Sequence, residues 1–124
     1  MKTIALLSDT HHKLDIRLEK HLKGCDEIWH AGDIGSIEII DELNKITKVR
    51  AVTGNIDNHI IRRSLKEIEL FRCEDVKVMM IHIGGYPGRY TKGIKERLKE
   101  YEPDLFICGH SHILKVMYDK KLKI

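Results

Sequence analysis

Seven side chains that can hold metal ions stand at the ends of apolar runs in this sequence: Asp9, His11, Asp33, Asn55, His82, His110 and His112. Taken singly, most have plainer roles. Asp9 beside Ser8, and Asp33 near Ser36, could start the helices that follow them. Gly54-Asn55 is a common turn pair. A histidine such as His82 on a strand is more often a satisfied core residue than a ligand. His110 and His112 are harder to set aside, because two imidazoles two residues apart, after Gly109, can face one object. Taken jointly, the plain readings fail. Two carboxylates and four histidines crowded at one edge carry a large desolvation and repulsion cost. A divalent cation removes that cost. Mixed oxygen and nitrogen donors suit Mn, Fe, Zn, Ni or Co rather than Ca. Seven donors are too many for one tetrahedral ion and about right for two ions sharing a bridge, ~3.5–4 Å apart as in two-metal hydrolases.

The elements that must position these residues follow from the apolar pattern. Lys2 to Leu7 reads as a buried strand, and Leu14, Leu18 and Leu22 recur at helical spacing before a stop at Gly24. Glu27 to His30 is a short strand. Ile39, Ile40, Leu43 and Ile46 mark a second helix, and Thr47 to Thr53 a third strand. This β-α-β-α-β order argues for a parallel sheet with right-handed crossovers. Two β-rich runs follow, Lys66 to Phe71 and Val76 to Ile83, joined by a turn at Cys73-Glu74-Asp75. Ile94, Leu98 and Tyr101 give another helix, ended by Pro103. Asp104 to Cys108 is a strand, and Ile113 to Tyr118 with Lys121 to Ile124 is a final hairpin around Asp119-Lys120. In open parallel sheets the carboxyl ends of the strands form the ligand edge. The polar clusters at Asp9, Asp33, Asn55, His82 and His110 would therefore converge on one edge of one sheet.

The 124 residues fit one domain, 1–124. Hydrophobic content of 42% and charged content of 33% are ordinary for a soluble globular chain, and a core of useful size is attainable at this length. A net charge of +3, with only short basic clusters at Arg62-Arg63 and Lys120-Lys121-Lys123, argues against long nucleic acid and reads as a solvated surface. Three widely spaced cysteines without a C-x-x-C pair point to neither a disulfide framework nor a zinc ribbon, which fits a reduced, cytoplasmic protein. Met1-Lys2 and the apolar run after it imitate a signal peptide, but the run stops at Leu7 with no small-residue cleavage site. No segment is long enough to span a membrane.

The order D-x-H, GD, GN, H and G-H-x-H is carried by Asp9-Thr10-His11, Gly32-Asp33, Gly54-Asn55, His82 and Gly109-His110-Ser111-His112. It resembles the calcineurin-like metallophosphoesterase superfamily over nearly the whole chain. The short spacing and lack of insertions are most similar to its small bacterial and archaeal phosphodiesterase branch, which also resembles the eukaryotic retromer subunit called Vps29. The resemblance implies a four-layer α/β/β/α sandwich. It implies that Asp9, His11 and His112 hold one metal, that Asn55, His82 and His110 hold the other, and that Asp33 bridges them. Asp33, Asn55 and the retained acidic Asp57 are then the catalytic set. The implied reaction is in-line attack of a bridging hydroxide on a small phosphate ester, a phosphodiester rather than a monoester, with two divalent ions, Mn first and Ni, Fe, Zn or Co as alternatives.

Three departures from the family pattern bear on function. The family often has a histidine after its GN pair to help the leaving group, and this chain has Ile56 there; His59 is the nearby candidate to replace it. Many relatives have H-G-H where this chain reads His82-Ile83-Gly84. The segment Gly84 to Tyr90 after it is expected to be a plain loop, or to bring Tyr86 or Arg89 to a phosphate, since Arg suits bidentate phosphate contact. Relatives also continue through further strands past G-H-x-H, whereas this sequence ends at Ile124, which would leave an open sheet edge, a site for self-pairing into a homo-oligomer or for aggregation. All seven ligands favour an enzyme; Ile56 and the short C-terminus favour a Vps29-like protein-binding scaffold with little catalysis.

Overall fold

The computed structural model describes residues 2–10, 16–110, 119, 122 and 124. In chain order the elements are β1 (Ile4–Leu7), a 3-10 turn (Ile16–Leu18), α1 (Glu19–Leu22), β2 (Glu27–His30), α2 (Ile37–Asn44), β3 (Lys48–Ala51) and α3 (His59–Ser64), then β4 (Ile68–Cys73), β5 (Val76–Ile81), β6 (Gly85–Tyr86), β7 (Arg89–Tyr90), α4 (Ile94–Tyr101) and β8 (Leu105–Ile107). β1, β2 and β3 pair in that order, all parallel, with Ile4 opposite Glu27 and Glu27 opposite Lys48. A second sheet has the order β4-β5-β8, antiparallel across the β4–β5 hairpin and parallel between β5 and β8. The hairpin register puts Cys73 opposite Val76, so the turn is Glu74-Asp75, with Glu74 in the left-handed region at φ 56°.

Two-residue alternation sets the layers. β2 is buried at all four positions. Ile28 faces Leu22, Ile39, Ile40, Leu43 and Ile61, which come from the helices, while Trp29 faces Phe71, Val78 and Met80 of the second sheet. Trp29 and Phe71 meet edge-on, 4.9 Å between centroids, a geometry worth about 0.5–1.5 kcal/mol beyond burial. β5 alternates in the same way: Val78 and Met80 face the first sheet, and Met79 and Ile81 pack with Ile94 and Leu98 of α4. The packing order is therefore helices, sheet, sheet, helix.

Capping fixes where the chain re-enters each helix. The Ser36 hydroxyl accepts from Glu38 N–H ahead of α2, whose Ile39, Ile40 and Leu43 are buried. The Asn58 side chain accepts from Ile60 and Ile61 N–H and starts α3, which buries Ile61. α4 ends at Glu102 in the left-handed region, immediately before Pro103.

The structure departs from the sequence pattern in three places. α3 was not expected; it has six residues, less than two turns, and its apolar content is one adjacent pair. The Gly84–Tyr90 segment is not a plain loop but a short antiparallel hairpin, Gly85 opposite Tyr90 and Tyr86 opposite Arg89. The second sheet is a separate layer, so the expected convergence on one edge of one sheet is corrected: the polar clusters come from the carboxyl ends of strands in two stacked sheets. The expected hairpin between Ile113 and Ile124 falls mostly outside the described residues; of those described, Asp119 and Ile124 exchange a pair of backbone hydrogen bonds.

Candidate metal centre

Five strand ends supply the cluster, and the backbone there is bent to deliver it. Asp9, Asp33 and His110 all lie in the left-handed region, at φ 57°, 55° and 70°. Non-glycine residues seldom adopt this conformation, and it concentrates at functional sites. Asp9 N–H donates to the Gly32 carbonyl and His110 N–H to Asp9 Oδ2, which ties the ends of β1, β2 and β8 together. Two glycines permit the close approach. A Cβ on Gly32, itself at φ 98°, would lie 2.7 Å from His82, and one on Gly54 would collide with the Asp33 backbone and carboxylate.

The donor atoms converge. One ligand atom each from Asp33, His82 and His110 lies within 4.8 Å of the others. His82 Nδ1 is 2.7 Å from the Ala31 carbonyl, so it carries the proton and leaves Nε2 as a lone pair facing inward. That Nε2 lies 3.1 Å from Asp33 Oδ2 and 3.8 Å from Asp9 Oδ1. The carboxamide of Asn55 presents one terminal atom 3.0 Å from His82 Nε2, 3.1 Å from His110 Nδ1 and 3.2 and 3.3 Å from the two Asp33 oxygens. Two arrangements satisfy this geometry. Either the amide nitrogen faces inward and donates, or the amide oxygen faces inward and a cation sits among the acceptors. The set of carboxylate, carboxamide and imidazole atoms is the mixture that borderline divalent ions take. Asp33, Asn55, His82 and His110, with Asp9 beside them, are thus the described residues that could hold a metal.

Other residues hold these in place. Asp57 is buried and accepts from Gly35 N–H at 2.9 Å and Gly54 N–H at 2.7 Å, joining the loops after β2 and β3. Ile56 N–H donates to Asp33 Oδ1 at 3.1 Å. His30 is fully buried. Thr10 Oγ1 donates to the Ile34 carbonyl and so accepts from His30 Nε2–H at 3.0 Å, while His30 Nδ1 accepts from Gly32 N–H. Burial lowers the His30 imidazole to about 4, against an opposing pull from Asp57 and Asp9, so it stays neutral and locks Thr10 to the loop after β2.

Among the described side chains, two expected residues stand apart from the cluster. His59 is exposed at the start of α3, and Arg89 is exposed on β7; neither lines the cleft beside Asn55. Tyr86 contributes its backbone to β6. His11 and His112 lie outside the described residues. The structure adds one residue that the sequence pattern had assigned to solvent. Arg62 donates from Nη2 to the Asn55 carbonyl at 3.3 Å and lines a cleft of about 380 Å³ with Asn55, His82, Thr53, Leu65 and Glu67. A larger depression of about 530 Å³ along α1 is lined by none of the ligand candidates.

A family model, the calcineurin-like phosphoesterase superfamily domain, matches residues 1–124. The chain belongs to that superfamily. A probable metallophosphoesterase of Methanocaldococcus jannaschii is 35% identical over 118 residues, covering 88% of this chain. The chain spans 58% of that relative's length. Among solved structures, an archaeal phosphodiesterase superposes with TM-score 0.72 at 22% identity, covering 97% of this chain and 79% of its own. Vps29 of Entamoeba histolytica, complexed with zinc, superposes with TM-score 0.73 at 19% identity, covering 94% of this chain and 68% of its own. At those identities the two structures show a shared α/β fold built on two sheets. Among the described residues, no helix is long and apolar enough to cross a membrane.

Proposed function

We propose that this chain is a dinuclear metal-dependent phosphoesterase that prefers phosphodiesters, built as one four-layer α/β/β/α domain. The observation that carries the reading is the meeting of Asp33, His82 and His110 ligand atoms within 4.8 Å in a chain of this superfamily. Asp33 would serve both ions, Asp9, His11 and His112 would hold one, and Asn55, His82 and His110 would hold the other. Two divalent ions, Mn foremost and Ni, Fe, Zn or Co as alternatives, would supply Lewis acidity toward the phosphoryl oxygens and a more acidic water there. The chain's own part is orientation. The Ala31 carbonyl fixes the His82 tautomer, the Asp57 carboxylate fixes the loop bearing Asn55, and the neutral His30 fixes the loop bearing Asp33.

Ile56, 40% exposed beside Asn55, offers no proton to a leaving group. That position favours a second reading, a Vps29-like binding scaffold. Turnover decides between them. Metal-loaded protein should cleave an activated aryl phosphodiester faster than the matching monoester, and Asn55→Ala should depress both. A metal-loaded protein without turnover on either ester would leave the scaffold. Poor alkyl leaving groups should be cleaved slowly, and Ile56→His should restore part of the ~10²–10⁴-fold that a general acid supplies.

A further inference from the structure

We infer that Arg62 is a substrate-binding residue of this site, with its guanidinium taking an anionic oxygen of the phosphate ester that lies against Asn55 and His82. The inference rests on the phosphoesterase reading and names a residue of the same site. Its basis is the way α3 is set on the loop after β3. Asn58 caps the helix and Ile61 is its buried anchor, fully enclosed in the core. Those two fixed points set the rotation of a helix too short to have much freedom of its own. Arg62, one position on, is turned back over the Asn55 loop and donates from Nη2 to the Asn55 carbonyl. The same residue whose side chain lies 3.0–3.3 Å from His82, His110 and Asp33 therefore anchors a guanidinium through its backbone.

The cleft gives that cation a purpose. Asn55 and His82 line it together with Arg62, so a ligand held by the first two meets the third. Arg62 is the one Lys or Arg among the lining residues described; Glu67 lines the cleft as well. A guanidinium presents five N–H groups in a planar fork that matches phosphate oxygens. One of those groups holds the Asn55 carbonyl, which keeps the fork oriented at little further entropy cost when a ligand arrives. A purely helical role does not explain the placement. Arg62 lies in the last turn of α3, where it could reach the helix's own carbonyls, yet its hydrogen bond goes to a residue before the helix begins. Arg63 is the natural control. It follows directly in the chain, carries the same charge and does not line the cleft.

The test is titration of inorganic phosphate into the full chain in saturating Mn, followed by calorimetry, for wild type, Arg62→Ala, Arg62→Lys and Arg63→Ala. Unfolding midpoints of all four show that each is folded. A charge-assisted hydrogen bond is worth roughly 10–100-fold in affinity, so Arg62→Ala should weaken phosphate by about that factor and raise KM for a phosphodiester. Arg62→Lys, a point charge without the fork, should recover part of the loss. Arg63→Ala should bind phosphate as wild type does. Equal weakening in Arg62→Ala and Arg63→Ala, an unchanged Arg62→Ala, or a wild type that takes no phosphate would each overturn the inference. The expected phosphate pattern in a protein that turns over no ester would instead keep Arg62 as an anion contact and remove the phosphoesterase reading.

Discussion

Strand β2 starts with a buried carboxylate, Glu27, and a second, Asp33, lies three residues past its end; the two are held in different ways. Glu27 and Asp33 are both 2% exposed. Glu27 receives Lys2 Nζ and Arg50 Nε, each at 2.9 Å, and Trp29 Nε1 at 3.3 Å. Arg50 is itself stacked on Phe71, 4.3 Å from the ring centre. Burial pushes the Glu27 carboxyl up, but these donors outweigh it and bring it down to about 2. The partners of Asp33 include an imidazole and a backbone amide, with a carboxamide and a second imidazole close by. The amino edge of the sheet thus neutralises its carboxylate with cations from the chain. The carboxyl edge gathers donors of the kind that bind a cation from outside. A buried acid supplied with lysine and arginine reads as structural; a buried acid whose described neighbours include imidazole and carboxamide groups reads as a candidate metal ligand.

Exchanging each acid for its amide breaks the comparison most sharply. On the proposed assignment Asp33→Asn removes the bridging charge, and it should lower turnover by roughly 10²–10³-fold and reduce bound metal. The same variant, unfolded by urea in the presence of a chelator, should lose less stability than Glu27→Gln, since its amide oxygen can still accept from Ile56 N–H. Glu27→Gln should do the reverse. It leaves the partly exposed Arg50 facing a neutral group and should lower stability by about 1.5–3 kcal/mol, with metal content unchanged. If the two variants gave the same pair of effects, the distinction between the edges would be lost.

Acid sharpens the comparison next. His30 binds its proton more weakly in the fold, about 4 against an ordinary 6.5, so the unfolded chain takes up more protons between those values. Its contribution, about 3 kcal/mol, is complete above pH 6.5 and lost as pH falls toward 4. Glu27, held at about 2 against 4.5, contributes fully above pH 4.5 and loses that contribution as pH falls toward 2. Urea midpoints of the metal-free protein should therefore fall in two windows. His30→Gln should flatten the upper one and Glu27→Gln the lower. The smallest effect belongs to Arg50→Lys, which keeps the charge but loses the planar contact with Phe71; about 1 kcal/mol is expected from thermal unfolding.

Much of this was legible in the sequence because it is written locally. The Glu27 to His30 strand, the Ser36 cap with Ile39, Ile40 and Leu43, and the Cys73-Glu74-Asp75 turn, which the fold narrows to Glu74-Asp75, are short-range patterns. The residues Asp9, Asp33, Asn55, His82 and His110 were legible because each follows an apolar run. What could not be read depends on contacts distant in sequence. Glu27 meets partners 25 and 23 positions away, and Arg62 acquires its place only when α3 folds back over Asn55. α3 itself is too short for a helical period; its one local signal was Asn58 ahead of Ile60 and Ile61. The division into two sheets follows from the antiparallel β4–β5 hairpin, which starts a new layer rather than extending the first.

Equilibrium dialysis against Mn, with elemental analysis of the full chain, tests the metal centre most directly. Wild type should retain more than one equivalent and approach two, Asp33→Asn should retain far less, and Glu27→Gln should match wild type. A wild-type protein that stays metal-free at saturating Mn, Zn and Ni would contradict the assignment of the carboxyl edge as a metal site.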